Sequence, residues 1–482
     1  MNVGYSDLLS YASIIDGLSG QSISEETFAS FYFSLDYVFK QRYILSLTGR
    51  TDGSNNFGSK EQFNPTGSVG LSWNIDQESF MESLKPVVST LSLRAALGYT
   101  GNINKSVYPQ LVMDYNTAFR KANDEYFRMG WLKNAPNPKL RWEKTRDMKV
   151  SLDVGLFDNR LRLQGELYDR RTRDAVTSVP VVYTTGFSLQ SYNTSELLNQ
   201  GVELTLSADV LKTKDWRFSL SGNIAYNRNK LLKYDSPNGS IFNSNYVGYP
   251  LNSIVSGMVT GIDSKLGIYT YAVRPDVVMS TAADRALAQN YAFYLGTSNA
   301  PTNGGYSISV SYKNLSLSMG GSYSFGGKVL NNITCPVSYS SLDGSVIERV
   351  PTQQNDLYTN HLNVTKDRVN RWTPNNPITN GYPRIIDAYG DYLGLNNFMV
   401  TSESITRASM MENVSYFKLN SILLGYNFQG EWLKRARISS LSFSFAVNNI
   451  FTITNYSGID PETPGAVYPV PRTFSMGVSV GF

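Results

Sequence analysis

Apolar residues fall on alternate positions over long stretches of this chain. Val202, Leu204, Leu206, Ala208 and Val210 alternate with Glu203, Thr205, Ser207 and Asp209. Met148, Val150, Leu152, Val154 and Leu156 alternate with Lys149, Ser151, Asp153 and Gly155. The pattern returns in Leu441, Phe443, Phe445 and Val447, and in the closing run Phe474, Met476, Val478, Val480 and Phe482. Successive side chains of a strand point to opposite faces, so this period predicts strands with one apolar and one polar face. Two architectures fit. A soluble sandwich turns the apolar face inward; an outer-membrane barrel turns it outward to lipid and keeps a polar lumen.

Three features favour the barrel. Short turns at Lys40-Gln41, Asp158-Asn159, Lys212 to Asp215 and Lys313-Asn314 alternate with long segments over 101–141, 175–198, 230–302, 327–411 and 451–471. Membrane barrels have that asymmetry, with short periplasmic turns and long outer loops. The strands expected over Phe28 to Phe39, Arg141 to Phe157 and Gly201 to Leu211 exceed the five or six residues usual in soluble sheets and suit a tilted membrane crossing. The chain also ends on an alternating strand with Phe482 last. The expected architecture is an all-β, antiparallel transmembrane barrel over 27–482, with 1–26 as an outer loop or the start of a fragment.

Roughly 13 to 15 strands are expected, with a further pair over 253–273 and a short loop helix from Ala282 to Leu295. The first strand leads into a short turn and the last ends on the same side, so the number is odd. Bacterial single-chain barrels have an even number, and an open edge in lipid leaves backbone groups unpaired. Missing N-terminal strands, supplied upstream or by a second polypeptide, are therefore expected.

Composition sharpens this reading. Charged residues are 17% of the chain, against about 25% in soluble domains. Aromatic residues are 13%, with 32 Tyr and 23 Phe, and rings with a polar tip favour membrane interfaces. The net charge of +4 and the lack of a basic stripe give no reason to invoke nucleic acid. One cysteine, Cys335, and one histidine, His361, exclude an internal disulfide and a His/Cys metal cluster. No apolar run is long enough for a transmembrane helix. Asn2 to Ser10 lacks the basic start and apolar stretch of a secretory signal.

Local motifs read first as structure. Asp52-Gly53-Ser54 reads as a tight turn rather than a calcium loop, because the EF-hand spacing is absent. Trp142, at a strand start, is expected in an interfacial aromatic girdle. Pro461, Pro464, Pro469 and Pro471 shape the final outer loop.

The same segments carry a family resemblance. Arg50 to Gly58 resembles the R-x-D-G-S-S-R-F-G segment of SusC/RagA transporters, with Asn56 where the family often has Arg. Leu97 to Asn102, Asn137 to Thr145, Asn199 to Glu203, Arg371 to Pro377 and Asn448 to Glu462 are similar to further family elements, in family order. Residue 375 is Asn rather than the family's Glu. The resemblance covers the barrel half only and implies the C-terminal part of a 22-stranded TonB-dependent receptor in the bacterial outer membrane. It implies import of a glycan or oligopeptide, a plug absent from this chain, a TonB complex acting through that plug, and a SusD-like surface lipoprotein as lid. Lipid and lipopolysaccharide would surround the barrel. No cofactor, metal or catalytic residue is expected. Four loop aromatics, Tyr126, Trp131, Trp372 and Tyr382, are the candidate contacts with substrate or lid. The alternatives are a non-transporting scaffold in a larger outer-membrane assembly and, more remotely, an outer-membrane hydrolase, for which His361 lacks a neighbouring nucleophile motif.

Overall fold

A computed structural model of the protein describes residues 27–55, 62–102, 111, 113–120, 126–132, 135–187, 189–234, 246–267, 269–276, 292–330, 370–381, 411–466 and 468–482. Its principal element is a 13-stranded antiparallel sheet in which sequential strands are neighbours throughout. The strands are β1 Phe28–Phe39, β2 Tyr43–Ser54, β3 Phe63–Asn74, β4 Val88–Asn102, β5 Glu143–Leu156, β6 Leu161–Pro180 and β7 Leu189–Lys212. They continue with β8 Trp216–Lys233, β9 Thr302–Tyr312, β10 Leu315–Phe325, β11 Tyr416–Phe428, β12 Ser440–Thr454 and β13 Thr473–Gly481. Among the described residues no helix is long and apolar enough to cross a membrane.

The alternation in the sequence becomes two continuous faces because cross-strand partners share a face. One register row runs Phe39, Tyr43, Trp73, Leu93, Leu152, Gly165, Leu204, Ile224, Gly304, Tyr323, Phe417 and Ile453. Every member is apolar, aromatic or glycine. The adjacent row across β3 to β7 runs Ser72, Arg94, Ser151, Glu166 and Glu203. The apolar row starts beside the turn at the end of β1 and finishes near the loop end of β12. This drift is the stagger that tilted strands need in order to curl into a barrel. Phe33, Leu35, Leu71, Leu204 and Met476 are all more than 40% exposed, as expected of a face whose partner is lipid rather than a protein core.

Turns are short at one rim. Lys40, Gln41, Asp158, Asn159 and Lys313 adopt positive φ, the left-handed geometry that tight hairpins need to match strand twist. Two longer links share this rim: 3-10 turns over Ile75–Gln77 and Ser79–Leu84, and the helix Glu431–Arg435. The opposite rim carries the long connections.

Several expectations are corrected. The segment over 175–198 is not a loop: β6 runs to Pro180 and β7 begins at Leu189, so this hairpin projects beyond its neighbours. Asp52-Gly53-Ser54 is no turn but the end of β2, held by pairing with both β1 and β3. Trp142 does not sit in an exposed girdle; it is 4% exposed, and its Nε1 donates to the Gln62 carbonyl at 3.3 Å. The pair expected over 253–273 is present, as Val259–Ile262 against Tyr269–Tyr271; the start of the segment, Ser253–Gly257, pairs instead with Ala292–Thr297. Ala292–Thr297 also replaces the end of the expected loop helix; the rest of that helix, like segment 1–26, lies outside the described residues.

Candidate lumen and outer mouth

The polar face is laced by cross-strand ion pairs. Arg94 meets Asp153 at 2.5 Å, Lys149 meets Glu166 at 2.9 Å, Arg170 meets Asp147 at 3.0 Å and Arg217 meets Asp209 at 3.1 Å. Arg50 pairs with Asp52 at 2.7 Å, and the Ser30 hydroxyl donates to the same carboxylate. The first four pairs each join two strands, and the Arg50–Asp52 pair within β2 is tied to β1 through Ser30, so the wall keeps a fixed arrangement of charges. Pairs this open contribute at most about 1 kcal/mol each to stability; their consequence is a hydrated, charged surface over which a polar solute can pass.

At the long-loop rim, connections fold back over this face. Lys418 of β11, 7% exposed at its side chain, meets Glu462 at 2.5 Å and Asp460 at 3.9 Å. Both acids belong to the loop between β12 and β13. The Ser322 hydroxyl of β10 also donates to Glu462, and the Asp460 carboxylate accepts the Glu462 backbone N–H. Burial pushes the Glu462 carboxyl upward. The Lys418 bond and charge, with hydrogen bonds from Ser322 and Tyr416, outweigh it and hold the group below its ordinary value. This cluster draws the last loop onto the wall. Beside β6 and β7, Asn193 accepts the Arg141 N–H and donates to the carbonyls of Arg141 and Asp174. A recess lined by Phe28, Arg50, Asp52, Thr66, Asn102 and Trp142 opens on the polar face between β1 and β5. Its mix of ring, carboxylate and guanidinium suits a polar ligand with some apolar surface. Two further recesses, one around Tyr37, Phe39, Leu71 and Leu93 and one around Val69, Leu97, Met148 and Leu167, lie on the apolar face.

The sequence candidates divide. Tyr126 and Trp131 lie on the strand Tyr126–Leu132, which pairs with Met113–Arg120 in a hairpin separate from the main sheet. Trp372 is 5% exposed; its Nε1 donates to the Ser264 carbonyl at 2.9 Å and its ring covers Gly267. It staples one loop segment to another. Tyr382 and His361 lie outside the described residues. The Lys418 cluster was not anticipated. Asp460 and Glu462 lie within the family-like segment Asn448 to Glu462, but their partner stands some forty residues earlier on β11, and alternation marks Lys418 only as polar-facing. No group of three metal-ligating side chains occurs among the described residues.

Comparison with known proteins agrees with this geometry. The family model for TonB dependent receptor-like β-barrels matches residues 2–308. TonB-dependent receptor SusC of Bacteroides thetaiotaomicron is 27% identical over 95% of this chain and 44% of its own length. TonB-dependent receptor P3 of Formosa agariphila is 26% identical over 95% of this chain and 46% of its own. The chain thus spans less than half the length of these curated relatives. Among solved structures, the RagAB peptide transporter is similar with a TM-score of 0.76 and 25% identity, over 97% of this chain and 49% of that one.

Proposed function

The chain belongs to the family of TonB-dependent receptor-like β-barrels, and from that premise we propose that it forms the wall and outer mouth of a SusC/RagA-type nutrient importer. The cargo is a glycan or an oligopeptide. A SusD-like surface lipoprotein covers the mouth, and a TonB complex drives passage through a plug inside the barrel. One observation carries this reading above the others: a charged, ion-paired lumen face backed by a continuous apolar outer face, matched over nearly the whole chain to a transporter of peptides. Structured loops that fold onto the lumen rim support it, because a lid needs a defined surface on which to seat.

The test is an in-frame deletion of the gene in its own host, with uptake of isotope-labelled oligosaccharide and oligopeptide mixtures measured in deletion and complemented cells. Loss of one class, restored on complementation, supports import and identifies the cargo class. Unchanged uptake of both classes, with outer-membrane complexes altered in composition, would sink it in favour of a scaffold.

A further inference from the structure

The outward face of the sheet is uncharged on every strand but four. On β1 to β4 and β9 to β13, the positions in register with the apolar row hold aliphatic, aromatic, glycine, proline or threonine residues. On β5 to β8 the apolar band stops short of the long-loop rim and charge replaces it. In β5, Leu152, Val150 and Met148 give way to Arg146 and Lys144; in β6, Leu163 and Leu167 give way to Asp169, Arg171 and Arg173. In β7, Leu204 and Val202 give way to Gln200 and Glu196, and in β8, Ile224 and Tyr226 give way to Arg228 and Lys230. One register row reads Tyr99, Arg146, Arg171, Leu198 and Lys230. At roughly 4.8 Å per strand, the three cations in it span about 15 Å.

Six cations here, Lys144, Arg146, Arg171, Arg173, Arg228 and Lys230, face only two carboxylates, Asp169 and Glu196. Arg146 pairs with Asp169 at 2.8 Å, and Arg171 and Arg173 share Glu196 at 2.7 and 2.9 Å. Among the described residues Lys144, Arg228 and Lys230 form no ion pair. The acids therefore hold the guanidinium groups in place without neutralising the patch. Tyr99 and Tyr226 border it from below, both about half exposed, and aromatic rings of this kind mark the level of lipid headgroups.

We propose that this outward patch on β5 to β8 binds the phosphorylated headgroup of an outer-leaflet glycolipid of the lipid A type. Guanidinium groups bind phosphate through paired hydrogen bonds, and a loosely held ammonium adds a point charge. The apolar band directly beneath would take the acyl chains, which is why a membrane lipid fits here better than a soluble acidic partner. The proposal rests on the outer-membrane reading, because that reading places the long-loop rim at the outer leaflet.

The experiment compares the full protein, expressed in its own host, with the variant Arg171→Gln/Arg173→Gln/Arg228→Gln/Lys230→Gln and with a lumen control, Arg94→Gln/Lys149→Gln. Each is purified from outer membranes in mild detergent, and bound lipid A is measured by mass spectrometry. A cation beside an anionic lipid surface is worth about fivefold in binding, so the patch variant should lose most bound lipid A while the control keeps it. Wild-type protein in liposomes gives a second reading that needs no folded variant: phosphorylated lipid A should bind and the dephosphorylated form should not. Equal retention by the patch variant and wild type, or equal binding of both lipid forms, overturns the proposal, as does an acidic protein in place of lipid on the wild-type patch. Absence of the wild type from outer membranes would instead overturn the localisation beneath it.

Discussion

Gly321 lies on the outward face beneath the Tyr306 ring, which stacks on Phe417 at 4.7 Å and donates from its hydroxyl to the Lys418 carbonyl at 3.1 Å. Any Cβ at residue 321 meets that ring and the Lys418 carbonyl at once. Gly321→Val should therefore cost about 1–3 kcal/mol through overpacking, read as a lower yield of heat-modifiable folded barrel, whereas Ser322→Ala next to it should change that yield little. On the other face of β11, Lys418 is the cation that holds Asp460 and Glu462. Lys418→Met would strand Asp460, 7% exposed, without its counter-charge, at a local cost of about 3 kcal/mol. A spin label at Thr463→Cys should then become mobile. The same label reports pH. The folded Glu462 carboxyl titrates below its ordinary value, so its hold on the loop is complete above the usual range near about 4.3 and is lost as pH falls through the lower folded value. Label mobility should rise only below the ordinary carboxylate range; a rise near neutral pH would show that another group secures the loop.

Within a strand, period-two facing makes adjacent residues inequivalent. Leu204 pairs with Gly165 and Ile224 on the apolar row, and Thr205 pairs with Gln164 and Asn223 on the polar one. Arginine at mid-bilayer on the lipid side costs about 2–4 kcal/mol, so Leu204→Arg should lower folded yield far more than Thr205→Arg. Similar yields would sink the assigned facing of β7. Strand identity and facing were legible because alternation depends on each residue and its immediate neighbours. Where β6 and β7 end was not: polar residues such as Asp174 and Asn193 read as loop, yet β6–β7 pairing such as Val176 with Asn193 carries the hairpin outward, and Arg141, just before β5, pairs with Asp174 at its base. Asp52-Gly53-Ser54 failed for the same reason, since its turn-prone composition is overridden by partners on both sides. The outward patch was spread over four strands, so its members became neighbours only once the register was known. For Trp372 the sequence shows ring type, and only the structure adds its burial against Gly267.

At the scale of the whole molecule the two rims differ in every respect that bears on transport. One is closed by tight turns with left-handed residues; the other carries the projecting β6–β7 hairpin, the pinned last loop and the charged outward patch. If the long-loop rim faces the exterior, cargo, lid and outer-leaflet lipid all meet the barrel there, and the turn rim faces the machinery that supplies energy. This sidedness can be measured directly. On a background without other cysteines, Thr185→Cys at the exposed tip of the β6–β7 hairpin should react in intact cells with a maleimide too large to enter through porins. Asp158→Cys, in the exposed turn between β5 and β6, should react only after the outer membrane is permeabilised. The reverse pattern would put the charged patch at the inner leaflet and the lid surface in the periplasm, leaving neither the proposed cargo route nor the proposed lipid site standing. Labelling of both positions in intact cells would mean that the sheet does not cross the membrane at all.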